Sequence, residues 1–298
     1  MQKVRTAFIV NPISGVSGLA AKQKLIEMFA DKSRYDYDIV TTESAGHAVE
    51  LASDFAQDGM ELVVAVGGDG TVNEVGRGLM HTDTVMGIIP CGSGNGLARH
   101  LGISVNPLAS FRWMNAMHVA DVDYGVINGH PFFTTCGVGF DALVSQKFAE
   151  SKGRGVLKYV ENVLHELRTY KNETYDMLID GEAVDVEAFL ITCANANQWG
   201  NNAYIAPEAS VCDGLLDISA IPQFTATEVP LIAAQLMTGH LYQNSKLFHR
   251  KCRELIIRRE GECVAHYDGD PFRLQGDVVI RIEPKGLKVA VPDRHSRV

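Results

Sequence analysis

The chain has 298 residues, of which 46% are hydrophobic, and a formal net charge of −9. This length allows a sizeable core and favours two domains, whereas the negative charge argues against general nucleic-acid binding. Six cysteines without a CxxC pair or zinc-ligand spacing indicate buried thiols in a reducing compartment. Because we find neither a signal-peptide pattern nor an apolar run long enough to span a bilayer, we expect a cytoplasmic protein.

The first third of the sequence alternates short apolar runs with segments of helical periodicity. This alternation predicts an open, doubly wound, mostly parallel sheet that binds ligands at the carboxyl ends of its strands. We expect strands at 6–10, 36–40, 62–66 and 85–89, and helices at 19–29, at 46–57, from Thr71, and from Asn106 to about Met117. Loops rich in Gly, Ser, Thr or Asn follow the strands, at 11–18, 41–47, 67–71 and 90–96.

From Val119 the pattern changes to short alternating strands separated by Gly, Asn and Asp, which predicts an antiparallel β-sandwich or barrel with inserted helices. We place the boundary at residue 120, with an α/β domain at 1–120 and a β-rich domain at 121–289, and leave open whether 290–298 return to the first domain. The expected strands are 119–127, 131–136, 175–179, 188–194, 215–221, 254–259 and 278–284, and the expected helices are 142–150, 156–170 and 227–238.

The glycine-rich turn after the strand at 62–66 carries the strongest chemical signal. Gly67, Gly68 and Gly70 let backbone N–H groups approach a ligand, and Thr71 and Glu74 have the spacing of a capping box, so we expect a helix to begin at Thr71. The positive end of that helix would stabilise a polyphosphate. Asp69 beside a phosphate indicates a Mg²⁺ ion or a substrate hydroxyl. A plain tight turn with a surface aspartate is the alternative.

The ordered motifs of the chain resemble those of the diacylglycerol kinase and sphingosine kinase catalytic superfamily, and the whole looks like a bacterial soluble lipid kinase. The resemblance covers nearly the whole chain and implies an ATP-binding α/β domain, a β-rich lipid-binding domain and an active site in the cleft between them. It depends on Asn11–Gly15, Thr41–His47, Gly67–Thr71, Pro90–Asn95, Gly139–Asp141, Cys212–Leu215 and Asp268–Asp270.

The resemblance implies that ATP binds to the glycine turn and to residues of the neighbouring loops. For Asn11 and Thr41, turn or capping duty is the alternative to ligand contact. The implied nucleotide-binding residues are Asn11, Thr41, Gly67, Gly68, Asp69, Gly70, Thr71, Val72, Asn73 and Ser93.

Four carboxylates are candidates for the chemistry of phosphoryl transfer, namely Asp69, Asp123, Asp268 and Asp270. The resemblance to diacylglycerol kinases assigns the proton acceptor to the place of Asp270, where the family usually has a longer Glu. The resemblance to sphingosine kinases assigns it to Asp69. We expect Asp270 to be the base, Asp69 to organise Mg²⁺ and water, and Asp123 to support them. The alternative for Asp268-Gly269-Asp270 is a hairpin turn.

Two further features bear on metal and substrate. Ser210, Asp213 and Leu215 match a structural Mg²⁺ site of bacterial relatives, although Asp213-Gly214 is also a turn signal. Gly96 stands where bacterial diacylglycerol kinases of the family usually have an Asp, which favours a sphingoid base or another long-chain alcohol over diacylglycerol.

The implied partner is a lipid at a membrane surface, reached by transient peripheral contact, and we leave a homodimer open. Two basic segments, 147–158 and 246–253, could approach anionic lipid, although each could equally be a solvated face. Rival interpretations are a nicotinamide-nucleotide or sugar-phosphate kinase with the same glycine turn, or a non-catalytic nucleotide- or lipid-binding protein.

Overall fold

The computed structural model describes residues 3–15, 18–115, 118–150, 170, 172–225 and 227–292. The chain folds as two compact units, one formed by Met1–Tyr124 and Pro284–Val298 and the other by Gly125–Glu283. The expected helix at 156–170 and the basic residues at 152–158 fall largely outside the described residues. No helix of the described part combines the length and the apolar character that crossing a membrane requires.

The first unit is built on a parallel sheet with strand order β2-β1-β3-β4, extended beside β4 by the end of β16, where Val289 pairs with Met86. This confirms the predicted parallel α/β architecture. Its strands are β1 (Val4–Val10), β2 (Tyr35–Thr41), β3 (Leu62–Gly67) and β4 (Val85–Pro90), and its helices are α1 (Leu19–Phe29), α2 (His47–Gln57), α3 (Asp69–Leu79), α4 (Gly96–His100) and α5 (Pro107–Met114).

Alternation along the strands places the core of this unit on both faces of the sheet. Every residue of β3 is buried, as expected for a central parallel strand. Phe8 and Val64 pack with Ile26 of α1 and Phe111 of α5 on one face, while α2 packs against α3. The close approach of α2 and α3 depends on Gly78, because a Cβ there would lie 2.6 Å from the carbonyl oxygen of Val49.

The predicted start of α3 is wrong. The helix begins at Asp69 with Gly68 as its N-cap, and no side chain caps it. Glu74 does not complete a capping box, because its carboxylate accepts hydrogen bonds from the backbone N–H groups of Gly46 (2.9 Å) and Ala48 (3.2 Å) at the start of α2. Gly70 therefore lies within the first turn of α3.

The second unit consists of two antiparallel sheets, as predicted. One has the order β12-β11-β10-β7-β14-β15, and the other contains β13, β8, β9 and β6 together with the end of β5 and the first part of β16. The elements are β5 (His118–Ile127), β6 (His130–Phe132), β7 (Thr135–Gly139), α6 (Phe140–Glu150), β8 (Glu173–Ile179), β9 (Glu182–Ala188), β10 (Leu190–Ala194), β11 (Leu216–Ile221), α7 (Val229–Thr238), β12 (Phe248–Cys252), β13 (Glu254–Ile257), β14 (Glu262–Tyr267), β15 (Asp270–Gln275) and β16 (Val278–Val291).

The core of this unit lies between its two sheets. Val138 and Ile218 of one sheet pack in a single buried cluster with Met177 and Ile280 of the other, which identifies a β-sandwich. The six cysteines are free thiols, and Cys136, Cys193, Cys252 and Cys263 are buried. Strands β9, β12, β14 and β15 were missed in the sequence, and the predicted strand at 131–136 divides into β6 and β7.

Candidate active site

The loops that follow β1, β3 and β4 meet at the carboxyl edge of the parallel sheet and are tied to one another. The Asn11 side-chain amide donates to Thr71 Oγ1 (3.0 Å), which joins the first loop to the first turn of α3. The Cys91 N–H donates to the Gly67 carbonyl oxygen (2.7 Å), which joins the third strand to the fourth loop. The edge predicted to bind phosphate is therefore one connected structure.

Asp69 provides a further link between these loops. One carboxylate oxygen accepts the Asn95 N–H (2.7 Å) and the other accepts the Gly96 N–H (2.6 Å), at the start of the short helix α4. Asn95 adopts a left-handed conformation there, with φ of 54°. These two bonds hold the Asp69 carboxylate against the backbone of the fourth loop.

Glycine is sterically required within the third loop and where the third and fourth loops pack together. A Cβ on Gly67 would lie 2.3 Å from Thr71 Oγ1, and one on Gly92 would lie 2.5 Å from the Gly68 Cα. Gly70 is different, since a Cβ there would meet no atom within 4 Å and the residue is exposed. The first turn of α3 thus presents an open backbone surface on which a ligand could lie.

The remaining predicted nucleotide-binding residues occupy varied environments. Asn11 Oδ1 accepts the Ile13 N–H (3.0 Å), so this side chain also has the predicted turn duty. Thr41 is the last residue of β2, opposite Val10 of β1. Ser93 is exposed at the tip of the fourth loop, whereas the side chains of Thr71, Val72 and Asn73 are buried.

In the second unit, Asp268-Gly269 forms the two-residue turn between β14 and β15, with φ of 45° and 87°. This is the hairpin turn that is the alternative prediction for Asp268-Gly269-Asp270. The Asp268 carboxylate binds the segment 133–135 at the start of β7: it accepts the N–H groups of Phe133 (2.9 Å), Thr134 (2.8 Å) and Thr135 (3.2 Å), and also the Thr134 hydroxyl. Asp268 therefore clamps the hairpin to that segment.

Asp270 and Asp123 are placed very differently. Asp270 is exposed at the first position of β15, immediately after the clamped turn. Asp123 is buried in β5, and its carboxylate accepts the Lys285 N–H (2.7 Å). Exposure makes Asp270 the more accessible of these two carboxylates.

A buried polar pair behind this hairpin was not predicted. His266 Nε2 lies 2.9 Å from Asp141 Oδ2, and the same oxygen accepts the Thr192 hydroxyl (2.6 Å). Burial opposes protonation of His266, but the carboxylates of Asp141, Asp268 and Asp270 together outweigh it and raise the pKa of the imidazole. The Gly139-Phe-Asp141 motif was the available signal for Asp141, whereas no local pattern connects it to His266.

The expected structural Mg²⁺ site lies on the turn before β11. Asp213 Oδ1 accepts the Leu215 N–H (3.1 Å), and Oδ2 pairs with the Lys251 ammonium (2.7 Å). Ser210 bonds locally to Cys212. The Lys251 ammonium therefore pairs with the one side-chain carboxylate of the expected site. Within the described residues, no cluster of three or more His, Cys, Asp or Glu side chains could hold a metal ion.

Comparisons with known proteins agree with this two-part architecture. Residues 5–127 match the model described as diacylglycerol kinase catalytic domain, and residues 134–291 match the YegS C-terminal NAD kinase beta sandwich-like domain. The chain is 25% identical to a Bacillus subtilis protein named diacylglycerol kinase, over 89% of each chain. It is 28% identical to one of the same name from Mycobacterium tuberculosis, over 97% of this chain and 95% of the relative.

Among solved structures, a diacylglycerol kinase from Bacillus anthracis str. Sterne superimposes with a TM-score of 0.77 over the full length of both chains, at 22% identity. This likeness shows a shared fold.

Proposed function

Because the chain belongs to the family that joins a diacylglycerol kinase catalytic domain to a YegS-type C-terminal domain, we propose that it is an ATP- and Mg²⁺-dependent kinase of a lipid hydroxyl group. The observation that carries the proposal is the connected set of glycine-rich loops around Asp69 at the carboxyl edge of the parallel sheet. Binding at that edge is the general rule for open α/β sheets.

ATP would bind with its phosphates on the third and fourth loops. Support comes from Gly70, which is exposed in the first turn of α3 at the positive end of the helix. Thr41 and Ser93 would contact the nucleotide from the adjacent loops, and Ser93 is exposed as that role requires.

Mg²⁺ bound with ATP neutralises charge that develops on the transferred phosphoryl group. The Asp69 oxygens accept the backbone N–H groups of Asn95 and Gly96, and a carboxylate has about four acceptor positions. This donor chemistry suits Asp69 for holding water molecules of a hydrated Mg²⁺.

Asp270 would accept the proton of the attacking hydroxyl. Its exposure supports this role, and the clamp formed by Asp268 would keep the turn that precedes it in one conformation. Asp123 would support the site electrostatically from its buried position.

The acceptor would be diacylglycerol-like or sphingoid-base-like, reached by transient contact of a cytoplasmic enzyme with a membrane. Relatives named diacylglycerol kinase favour the first class, whereas Gly96 in the fourth loop favours the second.

A nicotinamide-nucleotide kinase is the second candidate, because the model matched by residues 134–291 is described as NAD kinase beta sandwich-like. The two functions are separated by incubating the protein with labelled ATP, with and without Mg²⁺, and a panel of diacylglycerol, monoacylglycerol, phosphatidylglycerol, sphinganine, ceramide, NAD and fructose 6-phosphate. Mg²⁺-dependent label in one lipid is expected. Label in NAD or the sugar phosphate alone would refute the proposal.

A further inference from the structure

Lys22 of α1 is a buried cation behind the loop that follows β1. Its side chain is 1% exposed, and its ammonium donates to the Asn11 carbonyl oxygen (2.7 Å), the Ser14 carbonyl oxygen (2.6 Å) and the Ser14 hydroxyl (2.9 Å). An ammonium has three N–H donors, so these acceptors satisfy all of them. Lys22 therefore fixes the backbone of this loop at two points.

The acceptors of Lys22 are neutral. Within the described residues, the acceptors of its ammonium are the Asn11 carbonyl, the Ser14 carbonyl and the Ser14 hydroxyl, none of which is a carboxylate. Burial lowers the pKa of Lys22, since the ammonium loses hydration without gaining an ionic partner. Burying a cation without an ionic partner destabilises the folded protein, and an anion bound nearby reduces that free-energy cost.

The loop held by Lys22 is connected to the rest of the proposed nucleotide site. The Asn11 carbonyl oxygen accepts a hydrogen bond from the Lys22 ammonium. The Asn11 side-chain amide donates to Thr71 Oγ1 in the first turn of α3. At the other end of the loop, Gly15 (φ 65°) packs so closely that a Cβ would lie 1.9 Å from the Cys91 carbonyl oxygen. A substitution at Lys22 would therefore also alter the contacts of this loop with the first turn of α3 and with the loop after β4.

We propose that Lys22 is a positioning residue for the polyphosphate of the nucleotide, which it serves by ordering the 11–15 loop and by supplying positive charge from beneath it. The proposal rests on the proposed function, because it assumes that ATP binds at this edge of the sheet. It concerns binding of the phosphate chain rather than the chemical step, so its effect falls on ATP and tripolyphosphate and not on adenosine.

The test compares Lys22→Met with Lys24→Met, which removes the same charge from an exposed position on the same helix. Calorimetric titration with ATP, tripolyphosphate and adenosine should show at least a tenfold weaker affinity of Lys22→Met for the first two and unchanged affinity for adenosine. Lys24→Met should resemble the wild type. In the kinase assay, Lys22→Met should raise the KM for ATP more than it lowers kcat.

Ser14→Ala keeps the lysine but removes one of its acceptors, and it serves if Lys22→Met does not fold. It should weaken tripolyphosphate binding several-fold and increase hydrogen exchange of amides 13–15. Wild-type affinity for ATP and tripolyphosphate in folded Lys22→Met, or in Ser14→Ala, would overturn the role of Lys22 but not the proposed function. A wild-type protein that binds neither phosphate compound would overturn the proposed function as well.

Discussion

Asp268 and Asp270 are two residues apart, yet the structure predicts that their substitution has opposite consequences. In Asp268→Asn, the amide oxygen can replace Oδ1 toward Thr134 and Thr135, and asparagine tolerates the left-handed φ. The amide nitrogen then faces the N–H of Phe133, which is 1% exposed and loses its acceptor. Asp270→Asn changes an exposed side chain.

The magnitude follows from these contacts. In Asp268→Asn one buried N–H loses its acceptor, and the remaining hydrogen bonds go to a neutral amide instead of a charged carboxylate. Together these changes should lower the free energy of unfolding by ~2–4 kcal/mol. For a unit of this size the loss lowers the melting temperature by roughly 10 °C. Asp270→Asn should stay within about 0.5 kcal/mol of the wild type, as surface substitutions usually do. It should nevertheless lose most phosphoryl transfer, because it removes the proposed base.

Urea unfolding followed by circular dichroism measures the free energies of unfolding of the two variants. Transfer of label from ATP to the accepted lipid measures the activity of Asp270→Asn. An Asp268→Asn protein as stable as the wild type would refute the clamp. Full activity of a folded Asp270→Asn protein would exclude Asp270 as proton acceptor.

Three further predictions concern pH, metal and the glycine turn. Burial raises the pKa of Asp217 to about 6, so the folded state keeps this proton to a higher pH than the unfolded state does. The free energy of unfolding should therefore fall by ~3 kcal/mol as pH rises from about 4 to 6. Asp217→Asn should flatten that part of the wild-type curve in urea titrations, and an unchanged curve would contradict the assignment. Because the Lys251 ammonium pairs with Asp213, millimolar Mg²⁺ should not change the wild-type melting temperature but should raise that of Lys251→Met, whereas a fall on adding EDTA to the wild type would indicate a resident ion. Gly70→Ala should stabilise the protein by up to ~1 kcal/mol in urea unfolding while weakening ATP binding in titrations, and Gly67→Ala should destabilise it because of the contact with Thr71; unaltered ATP affinity in Gly70→Ala would place the phosphates elsewhere.

Elements with a strong local pattern could be predicted from the sequence. Helix α1 spans Leu19–Phe29 as expected, and β3 differs from its predicted range by one residue. The missed strands β12 and β15 are the edges of their sheet, and their charged or polar residues hide the apolar alternation.

The long-range contacts of the carboxylates were harder to predict, because their partners are distant in the sequence. Glu74 has capping-box spacing from Thr71, but its acceptor oxygens serve amides at Gly46 and Ala48. Asp268 likewise binds amides more than a hundred residues earlier in the chain. A local motif can indicate that such a carboxylate matters, but it cannot identify the donor.

The bonds from Asp69 to Asn95 and Gly96 also bear on protein engineering. They make the first turn of α3 and the loop after β4 a single exchangeable module, although about two dozen residues separate them in the chain. A chimera that takes the fourth loop from a relative to alter substrate choice would leave Asp69 facing foreign amide positions. Transplanting 67–74 together with 90–100 preserves the pairing, so specificity grafts in this fold should use both segments.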